Sequence, residues 1–330
     1  MAQVAIIFGN GFDLDLGLKT RYSDFMKSPE FEEIYKNRRG IDPWLSLLEY
    51  LNKRAELENW FDMELAIHDY VLEHNDIATI HVDAIKEEFK ILKDALCNYL
   101  MRISFEFKAQ YDKLPAKFFN YLRYCKQTIA EIYFNYTFPR EILGMGYYYN
   151  NYPFLRAVLY LLLNRIPRRQ PSITYVHGNI GRKNIVLGCD IQSGEKVNRD
   201  LSFLYKYNML KQANHVSKHL LEATEIIFYG HSVNEMDFCY FREFFKAASA
   251  SSEPARHLTF ITLDEKSERD IKDNIRNQDI SVSELYNLEV FEFIHTSKIY
   301  NKEMEEIQKW NNMWRRLLGD DADKILRFYG

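Results

Sequence analysis

The stretch Val4-Ala-Ile-Ile-Phe-Gly-Asn-Gly-Phe-Asp13 decides the fold class. Five successive apolar residues, Val4 to Phe8, suit a strand buried on both faces, as in a parallel sheet covered by helices. Gly9 and Gly11 mark a tight turn, and a helical run begins at Phe12. The turn has two readings. Glycine backbone lets a pyrophosphate approach the N–H groups of a helix start; it also permits a turn at positive φ. The next glycine is Gly17, so the full G-x-G-x-x-G spacing is absent and the turn alone leaves both readings open.

Working outward, further short apolar or β-branched runs read as strands: 129–134, 173–176, 185–187, 226–229, 258–263 and 288–293. Helical patterns at 154–164, 200–222, 236–248 and 266–276 separate most of them, and a last helix lies near 302–318. This alternation predicts an α/β fold with an open, mostly parallel sheet and right-handed crossovers. About 115 residues between the first and second strands lack a strand pattern. Within them Ile85, Phe89, Leu92, Leu96, Tyr99, Ile103, Phe107 and Tyr111 recur three or four apart, the stripe of a helix of about eight turns. Residues 44–57 and 62–72 also read as helical. Residues 28–125 are therefore expected to form a helical insertion, with 1–27 and 126–330 building the α/β domain. The stripe packs either on its own neighbouring helices or on a second copy as a coiled coil.

Composition excludes several classes. The 330 residues carry 43 Lys+Arg against 47 Asp+Glu, a net charge of −4, so a dedicated nucleic-acid binder is not expected. A hydrophobic share of 47% with 27% charged residues is ordinary for globular proteins. No apolar run approaches a membrane span, and the N-terminus reaches glycine too soon for a signal peptide. Cys97, Cys125, Cys189 and Cys239 are far apart and form no C-x-x-C pair. No metal site is expected, and a reducing cytoplasm is the expected location.

Three later motifs repeat the pattern of a polar residue where a strand ends. In Phe134-Asn-Tyr-Thr137, with Pro139 and Glu141 beyond, Thr137 reads as a helix cap and Asn135 falls on the sheet's carboxyl edge. In Tyr175-Val-His-Gly178, His177 is a candidate general base with Gly178 leaving space beside the ring. In Tyr229-Gly-His-Ser-Val-Asn-Glu-Met-Asp237, Ser232 and Glu235 have the spacing of a capping box. That box leaves Gly230, His231 and Asp237 without a structural account. Each motif alone has a bland alternative, but four such turns should converge on one crevice at the carboxyl edge. Asp62 and Glu64 are two residues apart, off a common helical face, and read first as a solvated helix start. The aromatic cluster at Tyr147–Tyr152 reads as a surface loop.

Gly9-Asn-Gly-Phe-Asp-Leu14, Gly17-Leu-Lys-Thr20 and Tyr22-Ser-Asp-Phe25 resemble the opening of the AbiH family, bacterial abortive-infection proteins associated with phage defence. Trp60 with Asp62 and Glu64, the segment 134–137, His177-Gly178 and Gly230–Asp237 look like later landmarks of that family, in order, to about residue 245. A more distant resemblance is to sirtuin-like NAD-binding proteins, which implies a Rossmann-like sheet. It implies that Asn135 positions ribose or water, that His177 serves as base, and that Gly9 and Gly11 lie under the cofactor phosphates. The chain departs from sirtuins in lacking their paired zinc cysteines, in carrying Asn10 and Phe12 in the first turn, and in its helical insert.

The expected function is a phage-defence effector that hydrolyses the nicotinamide glycosidic bond of NAD⁺, with NAD as substrate or ligand and no metal. Its site would hold phosphates at Gly9, Asn10, Gly11, Phe12 and Asp13, with Asn135 and His177 catalytic. Tyr136, Thr137, Gly178, Gly230, His231, Ser232 and Asp237 would line it, with Asp62, Glu64 and Glu141 as additional residues. The alternatives are a nucleotide sensor without turnover and, third, a nuclease in which Asp13, Asp62 and Glu64 would converge. Homo-oligomerisation through the insert is expected as a partner interaction; membrane and nucleic-acid partners are not.

Overall fold

The computed structural model describes residues 3–37, 42–57, 62–76, 81–108, 110, 112–140, 142–143, 171–190, 198–206, 209–250 and 256–329. Among them the chain forms two compact units. One comprises Met1–Leu18, Phe107–Val176 and Leu210–Gly330; the other comprises Lys19–Glu106 and His177–Met209. The insertion expected at 28–125 thus has a counterpart in the second unit, with residues 107–125 grouped with the sheet and residues 177–209 with the helices.

The first unit holds six strands, β1 (Val4–Phe8), β2 (Ile129–Tyr133), β3 (Ser172–Tyr175), β4 (Glu225–Tyr229), β5 (His257–Thr262) and β6 (Val290–His295). All pair in parallel, in the order β3-β2-β1-β4-β5-β6. This is a Rossmann-like sheet, with the order reversing at β1. The continuous apolar runs have the predicted consequence: every residue of β1 is buried, because helices cover both faces. Register turns the aromatic residues into two ladders. On one face Phe8, Tyr133 and Tyr175 are aligned and stack at 4.7 and 5.1 Å between ring centres. On the other, Phe228, Phe260 and Phe293 stack at 4.8 and 5.0 Å. Helix α1 (Asn10–Leu16) follows β1 directly. The first ladder is covered by Phe12, Phe118 and Phe119, and Trp310 and Trp314 join the same core.

In the second unit, α2 (Tyr22–Met26), α3 (Pro29–Lys36), α4 (Leu47–Leu57) and α5 (Met63–Glu73) accompany the long helix α6 (Val82–Glu106). The stripe through Ile85, Phe89, Leu92, Leu96 and Tyr99 is buried against α3 and α4, its own neighbours. The helix ends at Glu106, so Phe107 lies beyond it, and Tyr111 lies outside the described residues.

Some expectations need correction. Residues 185–187 do not form a strand. The Val186 N–H donates to the His177 carbonyl, so the segment folds back within the helical unit instead of joining the sheet. The helix expected at 200–222 is broken into a 3₁₀ turn, Arg199–Leu204, and α7 (Met209–Glu222). That at 236–248 is likewise a 3₁₀ turn, Glu235–Tyr240, followed by α8 (Arg242–Ala248). The final helix lies where it is expected, at Met304–Leu318, and a further short helix, Thr296–Tyr300, precedes it. The expected helix 154–164, Tyr147–Tyr152, Trp60 and Glu141 lie outside the described residues. No described helix is long and apolar enough to cross a membrane.

Candidate functional site

Strand order directs attention to β1. Open α/β sheets take ligands outside the carboxyl ends of the strands where the order reverses. Here the turns after β1, β2 and β4 meet.

The glycines of two turns are required by their contact with each other. A Cβ on Gly9 would lie 2.5 Å from the Gly230 carbonyl oxygen and 2.5 Å from His231 Cα; one on Gly11 would lie 2.7 Å from Gly230 Cα. Gly230, at φ +67°, would drive a Cβ into the Phe12 backbone nitrogen. The Gly11 N–H donates to the Gly230 carbonyl at 2.8 Å and the Phe12 N–H to the Gly9 carbonyl at 2.9 Å. Neither Gly9 nor Gly11 is at positive φ; close backbone packing, a third reading of this turn, accounts for the glycines, and these two N–H groups bond within the protein. Phe12, expected at the phosphates, has its side chain in the core, edge-on to Phe8 at 5.0 Å and Tyr229 at 4.8 Å. Asn10 is exposed at the helix start.

Behind the turn lies a buried polar cluster. Thr137 Oγ1 donates to Asp13 Oδ2 at 2.6 Å, and Asn135 Nδ2 donates to the Gly9 carbonyl at 3.1 Å. Burial pushes the Asp13 carboxyl up to about 6, against the opposing hydrogen bond from Thr137 and the nearby Asn135 amide. Asp13 Oδ1 and Asn135 Oδ1 are buried without a hydrogen-bond partner. Thr137 is therefore not a helix cap: its hydroxyl serves Asp13, and the next helical turn starts at Pro139. Tyr136, between the two, is half-buried.

The β4 turn is built differently from its expected capping box. Asn234, not Ser232, caps the 3₁₀ turn, accepting from the Asp237 N–H at 3.0 Å. The Ser232 carbonyl accepts from Asn274 Nδ2 at 3.0 Å, while its side chain is exposed. His231 is buried among Phe134, Phe228 and Phe241, the nearest ring centre 4.4 Å away. Its Nδ1 accepts from the Val233 N–H at 2.9 Å, which leaves the proton of the neutral ring on Nε2, facing Asp237 Oδ2 at 3.7 Å. Val233 is buried at φ +52°, a strained conformation for a β-branched residue.

In the helical unit, His177 is buried and its carbonyl closes the turn to Val186. Gly178, at φ +71°, faces the Asn184 carbonyl so closely that no Cβ fits. Asp62 caps α5, accepting from the Glu64 and Leu65 N–H groups; burial and the neighbouring Glu64 charge push its carboxyl up to about 6. Glu64 is not a solvated first-turn acid. It accepts from Lys206 Nζ at 2.5 Å and from Tyr22 OH at 3.3 Å, with the Lys206 side chain only 1% exposed.

Asp13, Asn135, Thr137, Gly230, His231 and Asp237 thus share the sheet unit, whereas Asp62, Glu64, His177 and Gly178 belong to the helical unit. Among the described residues no group of three or more His, Cys, Asp or Glu is arranged to hold a metal ion. Sequence reading missed the Asp13–Thr137 and Glu64–Lys206 pairs. It also missed Glu131, a charged residue inside the apolar run Ile129–Tyr133; that position was itself the signal of a buried ion pair.

A family model described as Bacteriophage abortive infection AbiH matches residues 5–258. The chain belongs to the AbiH family. Membership carries that family's role, bacteriophage abortive infection. The AbiH match takes in the turns after β1, β2 and β4 and the whole helical unit, and ends within β5. No curated protein matches the chain.

Proposed function

We propose that this AbiH protein acts in phage defence by hydrolysing the nicotinamide glycosidic bond of NAD⁺. The observation that carries the reading is the reversal of strand order at β1, the position at which open α/β sheets take dinucleotides, together with the polar cluster at that edge. In the reaction a water oxygen bonds to the anomeric carbon as the C–N bond breaks; nicotinamide leaves with the electron pair, through an oxocarbenium-like transition state. The reading assigns Asn135, in the sheet unit, to ribose or water.

Purified protein incubated with NAD⁺, with nicotinamide followed by chromatography, tests the reading. Release should fall roughly 10²-fold or more in Asn135→Ala. Release undiminished in Asn135→Ala would sink the assignment.

A second reading, a nucleotide sensor without turnover, is favoured by the buried, strained Val233 in the β4 turn beside Gly230. Strain next to a ligand edge suits an element that a ligand rearranges. It predicts a raised melting temperature with NAD⁺ and no nicotinamide.

A further inference from the structure

The cluster behind the β1 turn holds more acceptors than donors. Asp13 and Asn135 are 1% and 4% exposed. Thr137 Oγ1 donates to Asp13 Oδ2, and Asn135 Nδ2 donates to the Gly9 carbonyl. The second bond fixes the orientation of the amide: turned over, it would set oxygen against oxygen. The two remaining oxygens, Asp13 Oδ1 and Asn135 Oδ1, are enclosed and have no hydrogen-bond partner in the protein. Buried acceptors of this kind are ordinarily satisfied, so a pair on a ligand-binding sheet edge points to what binds there.

Chemistry narrows the ligand group. Phosphate offers acceptors and negative charge, and both are repelled by a buried carboxylate beside an amide oxygen. A metal ion would want further carboxylate or imidazole ligands, and no such group occurs among the described residues. Two neutral hydroxyls supply one donor to each oxygen and bring no charge into the site.

We propose that Asp13 Oδ1 and Asn135 Oδ1 form a subsite for the adjacent hydroxyls of a sugar, which under the NAD⁺ reading is the nicotinamide ribose, and that phosphate does not occupy it. The inference rests on that reading for the identity of the sugar. It moves Asp13 from the phosphate side, where the glycine turn had suggested it, to the ribose. The phosphates then fall toward the exposed Asn10 and Ser232.

The test is calorimetry in the cold on the full chain, with NAD⁺, 2′-deoxy-NAD⁺ (lacking the 2′-hydroxyl of the nicotinamide ribose) and inorganic pyrophosphate as probes. Wild-type protein should bind NAD⁺ at least about tenfold more tightly than the deoxy form. Asp13→Asn should lose most of that discrimination. The comparison of the two dinucleotides needs no variant, so it stands even where the substitution impairs folding. Equal affinity of wild-type protein for both dinucleotides overturns the subsite, as does unchanged discrimination in a folded Asp13→Asn variant. So does the absence of any NAD⁺ binding, or binding of pyrophosphate that strengthens when Asp13 is intact. Discrimination without nicotinamide release upholds the subsite and rejects cleavage; release without discrimination does the reverse.

Discussion

Arg140 reaches back along the chain to hold Glu131, a carboxylate with no solvent exposure inside β2, through two guanidinium N–H groups. Nε donates to Oε2 at 2.9 Å, and the Tyr133 hydroxyl donates to the same oxygen at 2.7 Å. The turn carrying Asn135 and Thr137 lies between the two partners in sequence, so the ion pair fastens both its ends.

Breaking the pair from either side is expected to have unequal effects. Arg140→Met leaves a buried carboxylate without its counter-charge and should cost about 3–5 kcal/mol of stability. Glu131→Gln should cost less, because the Arg140 side chain is 36% exposed and can turn to water. Urea unfolding of both variants measures the difference. Equal losses would show that the pair does not govern stability here.

Two glycines at positive φ, Gly230 in the β4 turn and Gly319 after the helix Met304–Leu318, predict a contrast. Gly230→Ala combines positive φ with a Cβ pressed on the Phe12 nitrogen and should destabilise by more than about 4 kcal/mol. Gly319→Ala shares the positive φ, at +60° with ψ −137°, but meets nothing within 4 Å, and should cost only about 1–3 kcal/mol of backbone strain. Thermal unfolding of the pair separates steric contact from backbone conformation.

Asp13 should make the fold less stable as the pH rises. Its carboxyl is held at about 6, above the ordinary 3.8, so the folded state binds the proton more tightly than the unfolded chain. The resulting stabilisation is complete below pH 4 and disappears as the pH climbs through 6, a change of about 3 kcal/mol. Asp62, also held at about 6, acts in the same direction. Glu30, lowered by its bonds to Arg102, has the opposite sign and acts below pH 4.5. Stability curves of wild type and Asp13→Asn should therefore diverge between pH 4 and 6. Parallel curves would contradict the role of burial at Asp13.

Lys206 and Glu64 should behave as a unit. Lys206→Met leaves Glu64 without its cation and should cost about 3–5 kcal/mol; adding Glu64→Gln should restore part of that loss. A double-mutant cycle in urea measures the coupling, and additive losses would mean that the two side chains do not depend on each other.

Much of the sheet was legible because its signal is local. Buried parallel strands are apolar on most successive residues, and Val4–Phe8, Ile129–Tyr133 (with the paired Glu131 as its exception) and Ile226–Tyr229 lie where such runs occur. The stripe of α6 was legible for the same reason, since a helical period can be counted along one segment. Ile185–Leu187 misled because an apolar run of three does not reveal whether a neighbouring strand is there to pair with it. The capping box at Ser232 misled because Asn234 can cap the same turn, and only the backbone path selects between them.

The sequence by itself determined the alternation of strands and helices, the AbiH landmarks, and the polar residues that end β1, β2 and β4. Those follow from near neighbours in the chain. Tertiary structure alone decided that Gly9 and Gly11 pack on Gly230, that Asp13 takes the Thr137 hydroxyl, and that Glu64 holds Lys206. These partners are separated by more than a hundred residues, and no local pattern encodes such a meeting. Burial then acts on the pairs it has brought together: it raises the Asp13 carboxyl and leaves its second oxygen without a hydrogen-bond partner in the protein.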